Sequence, residues 1–332
     1  MQPYLIEMLE CPVCHDELEW EISQRRGERI ETAEAHCKGC AAVYPVLEGV
    51  GLFLTLDLTR NDLWQQVDSQ LARYLQEHPE AEQRLMESPV DELAPADLFY
   101  RALVLEERGE YKAAKVLEEQ ANQGIYTEEY LTCWESQCDY VMEQLSEADG
   151  PIVDLASGRC YLIEQMARRL GHPLVATDYS PRVLWQDRRR LESLGLYDQV
   201  SLLAFDARRT PFRDGSVGTL TTNLGLPNVA EPGHLLGELR RLVRGQFLAI
   251  SHFYSDEDEV HAMALRQAGL SPLIFRNAAV RGFIAAGWKV EVVNECAGMA
   301  RPTPRSRVLG GAQIDRFPVQ ETDIEWCVLV AR

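Results

Sequence analysis

Apolar and polar residues follow one another along residues 150–332 in a pattern that predicts alternating strands and helices. An apolar pair, Ile152-Val153, leads into Asp154, and three small residues, Ala156-Ser157-Gly158, come next. Apolar residues at helical spacing then continue through Leu162, Ile163, Met166 and Leu170. The pattern predicts a strand, a tight turn and a helix, with the amides of the helix N-terminus facing outward at the turn.

Two more apolar segments of this half predict strands that also lead into acidic residues. Residues 173–177 precede Asp178, and residues 200–205 precede Asp206. Parallel strands of an open α/β sheet end at a common edge, and ligands bind outside that edge. The sequence therefore predicts an α/β fold with three carboxylates beside a ligand site.

In their order, residue types and spacing, these segments resemble the class I S-adenosylmethionine-dependent methyltransferases of the type 11-like group. The resemblance covers residues 125–332. The resemblance implies a Rossmann-like sheet of seven strands with S-adenosylmethionine as cofactor. It also implies that Asp178 accepts hydrogen bonds from the two ribose hydroxyls and that Asp206 accepts one from the adenine amino group. The full set of cofactor-binding residues implied is Asp154, Ala156, Ser157, Gly158, Asp178, Tyr179, Asp206, Ala207 and Asn223.

The turn after the first predicted strand departs from the family in its glycines. Only Gly158 is present, because Ala156 and Cys160 occupy the other two glycine positions. Glycine lets a backbone approach a ligand closely, so a Cys160 side chain facing the cofactor would lower its affinity. The competing interpretation is a binding site for a nicotinamide dinucleotide. Such a site requires the motif Gly-x-Gly-x-x-Gly, which this turn lacks, and it gives Asp206 no role.

Four of the nine cysteines form two pairs near the front of the chain. Cys11 and Cys14 stand in CPVC, and Cys37 and Cys40 stand in CKGC after a spacing of 22 residues. Paired thiolates on two short knuckles make a closed tetrahedral site that suits structural zinc and leaves no open position for catalysis. Through its CPxC, C-x2-C and YPV motifs, this segment resembles the small zinc-ribbon family that activates methyltransferases. We expect a small β zinc ribbon.

Residues 57–124 are acidic, show helical spacing of apolar residues and contain breaks at Pro79, Pro89 and Pro95. Two helices around Arg108-Gly109 are similar to one tetratricopeptide-like hairpin, but a single pair is not a repeat array. A helical connector packed on the methyltransferase half is therefore favoured. The predicted domains are a ribbon over 1–56, a connector over 57–124 and a methyltransferase domain over 125–332. Tyr126 or Tyr130 could close over the cofactor.

Charge is distributed unevenly along the 332 residues, whose total is −19. Residues 1–56 carry −6, residues 57–149 carry −15 and residues 150–332 carry +2. An acidic front half repels polyanions, so nucleic acid is disfavoured as a partner, whereas a protein could bind the ribbon or the connector. No apolar run reaches the ~18 residues of a membrane helix, and the first residues lack a signal-peptide core. We expect a cytoplasmic protein without membrane contact.

Few signals mark the methyl acceptor, because methyl transfer depends mainly on positioning. Asn223 and His252 are the catalytic candidates, since they follow the fourth and fifth predicted strands and an imidazole can act as a base. Three arginines of the loop 300–311 could instead bind a phosphate or carboxylate, or could simply be solvated: Arg301, Arg305 and Arg307.

Three functions remain open at this point. The first is a methyltransferase acting on a small molecule or a protein, with a fused ribbon. The second is an RNA base methyltransferase whose ribbon recognises the substrate, which the acidic front half disfavours. The third is a non-catalytic interaction protein on the same fold, which the three strand-end carboxylates disfavour.

Overall fold

The computed structural model describes residues 1–55, 57–58 and 62–332, with the side chains of 63–65 and 67–69 outside that description. The predicted boundary at residue 56 lies outside the described residues. The front segment forms one short helix and an antiparallel set of strands: α1 (Leu5–Met8), β1 (Leu18–Arg26), β2 (Arg29–Cys37), β3 (Val43–Leu47) and β4 (Val50–Leu52). Strands β1 and β2 pair antiparallel, which agrees with the expected small β element at the front of the chain.

The connector is helical, as predicted, and two of its helices begin at prolines. Proline suits the first helical position, where its missing N–H is not needed. The helices are α2 (Leu63–Glu77), α3 (Pro79–Glu87), α4 (Pro95–Glu107) and α5 (Tyr111–Ile125). The pair around Arg108-Gly109 is confirmed as α4 and α5, which pack against each other along their length.

The remaining half alternates helices and strands. Its helices are α6 (Glu128–Leu145), α7 (Tyr161–Arg169), α8 (Pro181–Ser193), α9 (Pro232–Leu242), α10 (Glu259–Gln267) and α11 (Arg276–Ala285). Its strands are β5 (Ile152–Leu155), β6 (Leu174–Asp178), β7 (Val200–Ala204), β8 (Val217–Asn223), β9 (Val243–Phe253), β10 (Val290–Ala300) and β11 (Thr322–Ala331). Among the described residues, no helix is both long and apolar enough to cross a membrane.

The seven strands of this half lie in the order β7-β6-β5-β8-β9-β11-β10. Strands β5 to β9 pair in parallel, and β11 pairs antiparallel with both β9 and β10. This is a Rossmann-like sheet that closes with an antiparallel strand, and the predicted α/β methyltransferase fold is confirmed. The strand order reverses beside β5, so the ends of β5, β6 and β8 open onto a crevice.

The ribbon strands extend this sheet instead of forming a separate one. Val50 in β4 pairs in parallel with Leu202 in β7, giving one sheet of eleven strands over the described residues. The Arg29 guanidinium donates to the backbone oxygens of Tyr197, Asp198 and Val200, at 3.2, 3.2 and 2.8 Å. Ribbon and methyltransferase half therefore share a hydrogen-bonded ladder, a contact that the domain prediction did not include.

Candidate functional site

The turn after β5 is held in left-handed backbone conformations at three positions. The φ angles of Ala156, Gly158 and Cys160 are +52°, +51° and +57°. Ser157 fastens the turn to β6, because its amide donates to the Thr177 carbonyl at 2.7 Å and its hydroxyl accepts from the Thr177 amide at 3.1 Å. A non-glycine residue at such a φ angle is strained, so the surrounding bonds must hold the turn in place.

The two glycine replacements in the turn leave the cavity open. The Cys160 side chain is buried in the apolar core beneath α7 and does not line the cavity beside the turn. Ala156 lines that cavity, and its methyl group faces Gly225, where an added Cβ would lie only 2.7 Å away. Gly225, which the sequence analysis did not single out, therefore accommodates Ala156.

Asp178 ends β6 with its carboxylate facing the cavity. Its Oδ2 accepts the Gly158 amide at 3.0 Å and its Oδ1 accepts the Ser180 amide at 2.9 Å. Burial raises the pKa of Asp178 to about 6, against the opposing effect of the amide donors. A carboxylate has about four acceptor positions, so this one has capacity left for hydroxyl groups of a ligand.

Asp206 also lines the cavity, but an arginine already occupies most of its acceptor positions. Arg208 donates to Oδ1 from its backbone amide at 2.9 Å and from Nε at 3.0 Å, and to Oδ2 from Nη2 at 2.7 Å. One of about four acceptor positions therefore remains, on Oδ2. Arg208 itself lines the same cavity.

Asp154 is placed differently from the prediction that it binds the cofactor directly. The carboxylate is buried and accepts from the Thr221 hydroxyl at 2.7 Å, and the residue does not line the cavity. Burial raises the pKa of Asp154 to about 7. Its backbone oxygen accepts the Ser157 and Thr177 hydroxyls, at 3.0 and 2.8 Å. In this arrangement Asp154 supports the turn from behind.

The cavity at the carboxyl ends of β5, β6 and β8 has a volume of about 1020 Å³. Of the predicted residues it is lined by Ala156, Ser157, Gly158, Asp178, Tyr179, Asp206, Ala207 and Asn223. Trp134 Nε1 donates to Asn223 Oδ1 at 3.4 Å, so α6 reaches across the end of β8. The structure thus brings eight of the nine predicted residues to one cavity.

One wall of this cavity comes from the connector, which the sequence analysis did not assign to the site. Lining residues from α2 and α4 include Leu71, Leu75, Phe99 and Leu103. Arg159 follows the turn and fastens that wall, since its guanidinium contacts Glu106 at 2.8 Å and Glu118 at 3.0 Å. The helical spacing of these apolar residues gave no indication that they face a cavity.

A smaller cavity of about 340 Å³ adjoins the first. Tyr126, Tyr130 and Asp315 line both cavities. The two tyrosine rings stack with centroids 4.9 Å apart, and the Tyr126 hydroxyl donates to Asp315 Oδ2 at 2.7 Å. With Leu224 and Asn228, which also line both cavities, these three residues form the junction, and Asp315 was not predicted.

His252 lines the smaller cavity and belongs to a strand, which corrects the prediction that it follows the fifth predicted strand. Strand β9 continues to Phe253, so His252 is part of the sheet. The ring packs edge-on against Trp326, with centroids 5.1 Å apart, and burial lowers the pKa of His252 to about 4. The imidazole is therefore neutral at physiological pH and keeps a lone pair.

The three arginines of the loop 300–311 do not converge on one cavity. Arg301 lines the rim of the smaller cavity, but its side chain is exposed and donates to the Gly124 carbonyl at 3.4 Å. Arg305 and Arg307 are exposed and line neither cavity. The loop is bound to the connector, because Asp97 accepts from the Ser306 hydroxyl at 2.5 Å and from the Val308 amide at 3.1 Å.

The four front cysteines converge. All four Sγ atoms lie within 4.8 Å of one another, with Cys11 3.6 Å from Cys40 and Cys14 3.3 Å from Cys37. Backbone amides point at the sulfurs, such as Val13 to Cys11 at 3.4 Å. A compact set of four thiols with amide donors fits a tetrahedral thiolate metal site.

The fold and the position of the large cavity define a methyltransferase-type sheet, and comparison with known proteins agrees. Residues 153–248 match the family model described as a methyltransferase domain. Demethylmenaquinone methyltransferase of Parafrankia sp. (strain EAN1pec) is 35% identical over 117 residues, which cover 31% of this chain and 46% of that relative. The enzyme of the same name from Clavibacter sepedonicus is 38% identical over 93 residues, covering 28% and 36%.

The chain spans less than half the length of these curated relatives. Among solved structures, the YcgJ protein from Bacillus subtilis superposes with a TM-score of 0.48 at 10% identity, covering 59% of this chain and 97% of that one.

Proposed function

We propose that this protein is an S-adenosylmethionine-dependent methyltransferase that acts on a small molecule. The observation that carries the proposal is the large cavity, which opens at the carboxyl ends of the strands within the segment that matches a methyltransferase domain. Asp178 and the turn at Ala156–Gly158 face this cavity, and they are the groups that a nucleoside ligand needs at that edge.

The residues of the large cavity fit the cofactor. Asp178 would accept the two ribose hydroxyls, and the turn would let the amino-acid portion approach the backbone. Asp206 would accept the adenine amino group through its remaining position on Oδ2. Ala207, Tyr179 and Asn223 would complete the walls. Bound S-adenosylmethionine supplies an electrophilic methyl group on a sulfonium sulfur.

Three observations support a small acceptor over RNA. By their names, the two relatives reported above are methyltransferases that act on demethylmenaquinone. The connector forms one wall of the large cavity, and the front 149 residues carry a net charge of −21, which repels a polyanion. The adjoining smaller cavity, at about 340 Å³, has the size of a small-ligand pocket.

We further propose that Cys11, Cys14, Cys37 and Cys40 hold one structural zinc ion, so that residues 1–56 are a zinc ribbon fused to the catalytic half through the connector. His252 is proposed to face the acceptor, and Asn223 to help position it at the end of β8. A protein partner would bind the exposed surfaces of the ribbon and the connector.

Transfer of a labelled methyl group tests the function directly. Purified protein is incubated with methyl-labelled cofactor and separated small-molecule, protein and RNA fractions of a cell extract, with Asp178→Ala as the control. We expect label in the small-molecule fraction that depends on Asp178. Label only in RNA would refute the acceptor class, and failure to bind S-adenosylhomocysteine would refute the enzyme.

Asp154→Asn separates support of the turn from contact with the cofactor. Because burial raises the pKa of Asp154 to about 7, the stability it contributes below its unfolded pKa is lost as pH rises toward 7. An asparagine keeps an acceptor for Thr221 without a charge. The stability gain of the variant should therefore grow by about 2 kcal/mol between pH 5.5 and pH 8 in denaturant unfolding.

In the same variant, affinity for S-adenosylhomocysteine should stay within about twofold of the parent value. A tenfold loss of that affinity, with no pH-dependent gain in stability, would show instead that Asp154 contacts the cofactor.

A further inference from the structure

The smaller cavity has mostly apolar walls. They come from the ends of β8 and β9, from the segment around Leu273 and from the loop that contains Phe317 and Pro318. Deep in the cavity the aromatic rings of Tyr130, His252 and Tyr254 lie close together, with the His252 centroid 6.3 and 5.9 Å from the two tyrosine centroids. These walls offer an occupant ring faces and edges, and polar groups contribute to the cavity surface beside them.

The charged groups of this cavity are poorly placed to bind an anion. Arg301 and Arg316 are exposed at its rim, and Arg316 lies 5.8 Å from the Phe317 ring centroid. Asp315 is the lining carboxyl group; burial raises its pKa, and the Tyr126 hydroxyl already donates to its Oδ2 at 2.7 Å. Among the described lining residues there is thus no buried cation, and a carboxylate or phosphate inside would be unpaired.

One polar atom of the cavity lining lacks a partner. His252 Nδ1 is buried and has no hydrogen-bond partner among the described residues. Leaving such an atom unsatisfied is unfavourable, and a buried polar atom of this kind indicates a missing ligand group. Among the described residues no charged group shifts the pKa of this imidazole, and a neutral hydrogen-bonding group on the ligand would match it.

We infer that the smaller cavity binds the methyl acceptor, a neutral and mainly aromatic or aliphatic molecule with one hydroxyl group that hydrogen-bonds to His252. The inference rests on the proposed function and specifies its substrate class. It corrects the anion-binding role considered for the arginine loop. The junction that includes Tyr126, Tyr130 and Asp315 is then the place where the acceptor would reach the methyl group of a cofactor in the large cavity.

Three bicyclic probes of equal ring size but different charge test the inference: 2-naphthol, 2-naphthoate and 2-naphthylmethylammonium. Binding is measured by calorimetric titration of full-length protein saturated with S-adenosylhomocysteine, so the large cavity is already filled. We expect one site for 2-naphthol and at least about tenfold weaker binding of both charged probes, because the carboxylate would meet no buried cation and the ammonium would have to compete with Tyr126 for Asp315.

Substitution at His252 distinguishes recognition from packing. His252→Phe should weaken 2-naphthol binding by about tenfold and leave S-adenosylhomocysteine binding within twofold, whereas His252→Gln should restore part of the loss. His234→Phe is the matched control, because the His234 side chain is exposed and lines neither cavity.

Each other outcome refutes the inference in a distinguishable way. Equal or tighter binding of 2-naphthoate or of the ammonium probe would assign the cavity to a charged acceptor. Binding of S-adenosylhomocysteine without any probe binding would refute the acceptor class and leave the methyltransferase proposal standing. Absence of S-adenosylhomocysteine binding would refute the proposed function itself.

Discussion

Replacing Asp178 with alanine is expected to weaken S-adenosylhomocysteine binding by about 2–4 kcal/mol, or roughly 30- to 1000-fold. The carboxylate faces the large cavity and can accept two hydroxyl hydrogen bonds, which alanine cannot replace. Calorimetric titration measures the loss. Asp198→Ala is the matched control, since Asp198 is exposed and lines neither cavity.

Affinity in the parent protein should also depend on pH through the same carboxylate. Because burial raises the pKa of Asp178 to about 6, the ionised acceptor is present above pH 6 and is lost below it. Affinity should therefore fall by up to about tenfold per pH unit below 6. Asp178→Asn should bind weakly and show no such slope between pH 5 and 7. Unchanged affinity in a folded Asp178→Ala protein would remove this residue from the site.

Removal of zinc is expected to unfold the ribbon. Four thiolates on two knuckles would hold the cysteine end of the segment together, and metal binding supplies about 10 kcal/mol or more of apparent folding free energy in comparable zinc sites. A chelator, or Cys37→Ser, should make residues 1–50 sensitive to protease and lower the melting temperature by several degrees. Metal analysis of the untreated protein should give one zinc per chain.

A second cysteine substitution controls for loss of any thiol. Cys296→Ser removes a thiol outside the ribbon, whose sulfur accepts from the Gln137 amide at 3.3 Å. It should retain one zinc per chain and a protease-resistant front segment. Well under one zinc per chain in the parent, with four freely reactive front thiols, would disprove the metal site.

The sequence predicts the strand ends well because chain order and side-chain type decide them locally. An apolar run that ends in Asp178 indicates a strand, and once that strand pairs in parallel with its neighbours the carboxylate lies at the edge of the sheet. The four cysteines are predictable for a similar reason, since two short C-x2-C knuckles require little else. The sheet, the helical pair of the connector and the ribbon hairpin all follow from such local patterns.

The rest depends on packing between distant segments, which periodicity does not encode. Phe99 and Leu103 have ordinary helical spacing, and only the docking of α4 shows that they line a cavity. His252 appeared to follow a strand that in fact continues to Phe253, so its position in the lining of the smaller cavity was missed. Asp154 stands at the acidic position that the sequence resemblance assigns to the cofactor. Its carboxylate instead accepts a hydrogen bond from Thr221 of the neighbouring strand and does not line the cavity.

The ladder between β4 and β7 has a consequence for any attempt to study the catalytic half alone. A chain shortened to begin after the ribbon would leave β7, a strand of five buried residues, as an open edge with unsatisfied N–H and C=O groups. Open apolar edges recruit strands from other molecules and promote aggregation. Insolubility of such a fragment would reflect the loss of this edge protection and would carry no information about catalysis.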